Sequence, residues 1–99
     1  MTTLIEEVKY ACMVGDTSDE NILTELELLV NAAKEELKTA GVNIPAIESD
    51  LNSLLRTAII FYCKAHFGYD NPDSDRYERR FDELKVILSL DKSTRYEVT

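Results

Sequence analysis

Cys63 and His66 stand three residues apart in the segment LNSLLRTAIIFYCKAHFGY (51–69), a spacing that brings two side chains together on one helical face. A thiol beside an imidazole is the beginning of a nucleophile: the ring takes the proton and the thiolate attacks. The segment does not complete one, because no basic environment lowers the thiol and no third group orients the ring. His66 therefore reads as a histidine at the edge of a core. Cys63, like the distant Cys12, reads as a small buried hydrophobe. His66 is the single histidine of the chain and, apart from Cys63, has no Cys or carboxylate at ligand spacing, so no metal site is expected. The sequence carries no Gly-rich phosphate loop, CxxC pair, HExxH, GxSxG or calcium loop. Neither an enzymatic activity nor a cofactor is expected.

Charge narrows the partners. The formal net charge is -8, and residues 1–20 hold five acids against Lys9 alone. Such a field repels phosphate backbones and disfavours conventional DNA binding. Arg76, Arg79 and Arg80 form the one basic cluster. They are interleaved with Asp75, Glu78, Asp82 and Glu83, which predicts pairs within the helix or a clamp onto a neighbour's acidic face. No apolar run approaches the roughly 20 residues of a membrane span, so no membrane partner is expected. The start MTTLIEEVKY is acidic where a signal peptide would be basic, which points to a reducing cytoplasm.

The elements that position these groups are helical. Ninety-nine residues with three Gly, two Pro, 44% hydrophobic and 30% charged residues predict a single all-α domain, a small four-helix bundle over residues 1–90 with a flexible tail over 91–99. A short first helix runs from about Leu4 to Cys12, with Thr3 as N-cap and Glu6 three residues on, and Gly15 and the polar run behind it end it. The second runs from Asp19 or Glu20 to Ala40, with Gly41 in the left-handed position after its last turn. Leu28 points away from its apolar stripe. Pro45 separates it from the third helix, which is expected to start near Ser49 or Asp50. That third helix is apolar on two faces. Ile60 and Phe67, between Arg56 and Lys64, lie opposite its main stripe, to be covered by the first helix or by a second subunit. The fourth helix places Tyr77, Phe81, Leu84, Ile87 and Leu88 on its core face.

This order of parts, with LIEEVK, the acidic link GDTSDE, the long helix ILTELELLVNAAKEEL, a Pro-containing connector and AIIFYCKAHFGY, resembles the head–tail connector (head-completion adaptor) proteins of tailed phages and prophages over residues 4–90. The resemblance implies a structural protein made in the host cytoplasm and placed at the virion head–tail interface. It implies a homo-oligomeric ring of about twelve copies beneath the portal protein. The ring would continue the DNA channel without sequence-specific binding and dock another head-completion or tail protein. Under it, Leu28, Ile60, Phe67, Arg76, Arg79, Arg80 and the tail residues Tyr96 and Val98 are the expected subunit or partner contacts. The acidic first twenty residues also fit a different class, a small helical inhibitor module that binds a basic partner.

Overall fold

The computed structural model describes residues 3–15, 18–47, 50–67 and 72–90. Among them are four α-helices and no strand. Three of the helices start where a short polar side chain takes over an orphan N–H. Thr3 Oγ1 accepts from the Glu6 N–H at 3.3 Å and opens α1 (Leu4–Ala11). Asp19 Oδ1 accepts from Asn21 at 2.9 Å and Ile22 at 3.4 Å and opens α2 (Glu20–Thr39). Asn52 Oδ1 accepts from Leu55 at 2.8 Å and opens α3 (Ser53–His66). The last helix, α4 (Ser74–Leu90), follows Asp73, whose carbonyl accepts the Tyr77 N–H.

The start of α3 lies later than the expected Ser49 or Asp50. Asn52 is extended, with ψ 171°, and its side chain captures the first free amide. Leu51 is buried all the same, so it continues the apolar stripe without belonging to the helix.

Two helices end in the same hydrogen-bonded lock. After α2, the Gly41 N–H donates to Lys38 and the Val42 N–H donates to Leu37, with Gly41 at φ 92°. Val42 and Leu37 are both buried, the apolar contact that accompanies this closure. After α1, Met13 donates to Tyr10 and Val14 to Lys9, with Met13 at φ 63°. The helix expected to be ended by Gly15, which follows at φ 55°, is thus already closed by Met13. An L-residue there crowds its Cβ against the backbone at a cost of about 1 kcal/mol. The side chain recovers nothing by burial, being 92% exposed.

Leu55, Ala58, Ile59 and Cys63 of α3 are buried at the centre of the core. Leu26, Val30, Ala33 and Leu37 reach it from α2, Phe81 and Leu88 from α4, and Leu4 and Val8 from α1. The pairs Tyr62–Phe81, at 5.0 Å between ring centres, and His66–Glu78 show α4 running antiparallel to α3. Of the expected α4 core face, Phe81 and Leu88 are buried and Leu84 partly so, whereas Ile87 is half exposed. At 100° per residue it sits at the margin of the face those three define. No described helix is long and apolar enough to cross a membrane.

Two outcomes follow for equilibrium urea unfolding. Met13→Gly raises the unfolding free energy by roughly 0.5–1 kcal/mol, because the strain disappears and only part of it is offset by glycine's entropy. Ile59→Ala lowers it by about 2–5 kcal/mol through the cavity left at the centre of α3.

Candidate functional site

The second apolar face of α3 is covered by α1. Glu7 Oε1 pairs with Arg56 Nη1 at 3.3 Å at one end of that face, and the Arg56 Nε donates to the Leu51 carbonyl. At the other end Ala11, Cys12 and Met13 share a cleft of about 310 Å³ with Lys64, Phe67, Asp73 and Tyr77. Ile60, between these ends, and Phe67, in the cleft, are half-buried and packed against the core.

Tyr77 closes the cleft. Its ring stacks on Phe61 at 5.9 Å, with Lys64 Nζ 4.5 Å and Arg76 Cζ 5.2 Å from its centre. Hydrogen bonds from Arg76 and then Lys64 hold its phenol below the ordinary tyrosine range. Arg76 also pairs with Asp73 at 3.7 Å, and Arg80 with Glu83 at 3.6 Å. Arg79 has no ion-pair partner among the described residues. Leu28, on α2, is 64% exposed. The tail residues Tyr96 and Val98 lie outside the described residues.

Geometry does not assemble a nucleophile from Cys63 and His66. The imidazole Nε2 lies 3.2 Å from Glu78 Oε1, and the ring packs on Tyr62 at 4.3 Å, so its partners are on α4 and its own helix. Burial, with a smaller contribution from Cys12, pushes the Cys63 thiol up to about 12. Burial likewise pushes Cys12 up to about 11. A thiol held protonated at neutral pH is a poor nucleophile. Both cysteines are free, and no group of three or more His, Cys, Asp or Glu among the described residues could hold a metal ion.

The sequence profile described as phage connector protein matches residues 4–95, and the chain belongs to that family. Membership makes it a structural connector of the phage head–tail junction that interacts with other head or tail components. Comparisons with curated proteins and with solved structures gave no significant match.

The thiols set an alkaline limit on stability. Below their ordinary value near 9 both are protonated, folded or unfolded. Between about 9 and 12 the unfolded chain releases protons that the folded chain retains, so stability falls as pH rises. Cys63→Ala removes that component. Its stability deficit relative to the natural chain is therefore larger at pH 7 than at pH 10.5 in denaturant titrations.

Proposed function

We propose that copies of this chain close into a ring of about twelve subunits beneath the portal, at the vertex where the genome leaves the head. The ring prolongs the DNA channel and presents a docking surface to the next head-completion or tail protein. The observation that carries this reading is the family match over residues 4–95, which spans all four helices.

The physical chemistry of the chain supports it. A ring converts one weak contact, repeated around a closed circle, into a stable assembly, because the last subunit is held on both sides. A net charge of -8 leaves phosphates few cations to hold, so DNA can pass without being retained. In this reading the helical domain over 1–90 builds the ring and residues 91–99, with Tyr96 and Val98, are the segment that docks. Leu28 and the Arg76, Arg79 and Arg80 cluster lie on outer helix faces available to a neighbour. Ile60 and Phe67 would contribute through their partly exposed edges beside α1.

Purified chain mixed with its portal and imaged by negative stain should give closed rings of about a dozen copies, with light scattering following assembly over a concentration series. Removing residues 91–99 should leave ring formation intact and abolish recruitment of the next component. Duplex DNA should not be retained at about 0.15 M salt in a filter-binding assay. A tight non-cyclic dimer at every concentration, with no ring on the portal, would overturn the reading. Salt-sensitive one-to-one binding to a basic protein would put the inhibitor module in its place.

A further inference from the structure

The outer face of α4 carries a straight stripe: Arg79, Glu83, Val86 and Leu90, spaced four, three and four residues apart. That is the spacing with which one helix meets another along a seam. The stripe lies opposite the buried Phe81, Leu84 and Leu88 side, and all four residues are exposed, Val86 at 56% and Leu90 at 72%. Its charged end holds the arginine that has no ion-pair partner among the described residues.

A second stripe with the same spacing lies on α2: Thr24, Leu28, Asn31 and Glu35. It is turned away from the buried Leu26, Val30, Ala33 and Leu37 side, and all four of its residues are exposed too. Leu28 and Glu35 are seven residues apart, as are Arg79 and Val86, about 10.5 Å along each helix. Laid antiparallel, the two stripes set Arg79 against Glu35, Glu83 against the Asn31 amide, Val86 against Leu28 and Leu90 against Thr24. Laid parallel, they set Arg79 against Thr24 and Val86 against Asn31, and both complementarities are lost. Among the described residues Glu35 pairs only with Lys38, three residues on, at 3.7 Å on an open surface. Such a pair contributes little and is readily exchanged.

We infer that the α4 stripe of one copy seats antiparallel on the α2 stripe of the next, so that this helix pair is the repeating contact of the assembly. The inference rests on the ring reading and adds the surfaces that meet. Two different patches of one chain make the contact heterologous, so each copy has one donor face and one acceptor face. Such contacts propagate until rotation closes the circle. The apolar portion, Val86, Leu90 and Leu28, is small. Each contact is correspondingly weak alone, and specificity comes from the charged end.

Paired cysteines test it. In a Cys12→Ala background, where only the fully buried Cys63 remains, a chain carrying both Leu28→Cys and Val86→Cys, concentrated and mildly oxidised, should give a ladder of disulfide-linked trimers and larger species. Chains with only one of the two substitutions should stay monomeric, since neither site meets its own copy. A double-substituted chain that stops at monomer, or a single-substituted chain that forms dimers, would overturn the contact.

Charge exchange gives a second readout that does not depend on cysteine. Arg79→Glu and Glu35→Arg should each weaken self-association about tenfold in sedimentation, and the two together should restore it. Circular dichroism on each variant verifies that the helices are retained. Rings forming on the portal with R79E as readily as with the natural chain would overturn this contact and leave the connector reading standing. Failure of the natural chain to form rings on the portal, with a complete cysteine ladder, would overturn that reading and support the contact as one between copies.

Discussion

Leu55, Ile59 and Cys63 form a line of fully buried side chains along α3, four residues apart, and no single neighbour can keep such a line dry. A helix of 14 residues that is apolar on more than one face must be enclosed, and the chain encloses it with three others. α2 and α4 take the main stripe, and α1 takes the side bearing Ile60 and Phe67. The rest of the architecture answers to that requirement. α2 is long enough to bring four buried residues to the core, α4 returns antiparallel along α3, and α1 needs only two deeply buried side chains.

Enclosing α3 also decides what the chain can do chemically. The same dehydration that makes Cys63 a good core residue withholds its thiolate, and it leaves His66 at the edge to pair with Glu78. The outer faces of α2 and α4, where charge and a few exposed aliphatic side chains alternate, are the surfaces that the proposed contact between copies uses. A protein built in this way works by being placed between others, in keeping with its family.

Much of this was legible in the sequence, and the misreadings have physical causes. Thr3, Asp19 and Gly41 announce their caps because few residue types do those tasks well. Leu28 is visibly off its stripe. The start of α3 was misplaced because Leu51 keeps the apolar rhythm while Asn52 has already interrupted the backbone. The end of α1 falls within a residue of the expected Cys12, but the residue that closes it was not legible, because a methionine at positive φ contradicts residue preference and only the hydrogen bonds from Met13 and Val14 reveal it. On α4, Ile87 was counted with the core by its chemistry, although the helical angle puts it at the margin. The Val86 and Leu90 stripe went unnoticed for a related reason. Aliphatic residues near a helix end look like core until burial shows which of them face water.

The Arg56–Glu7 pair joins residues 49 positions apart in the chain. Its long loop can close only after α3 has formed, since Arg56 has no fixed place before then. α1, eight residues long and marginal as an isolated helix, therefore docks as a late event on a surface the other three helices have already made. In the native state the same hierarchy runs backwards. α1 is the unit that detaches at least cost, so its amides exchange with solvent through a local opening while the α3 amides wait for global unfolding.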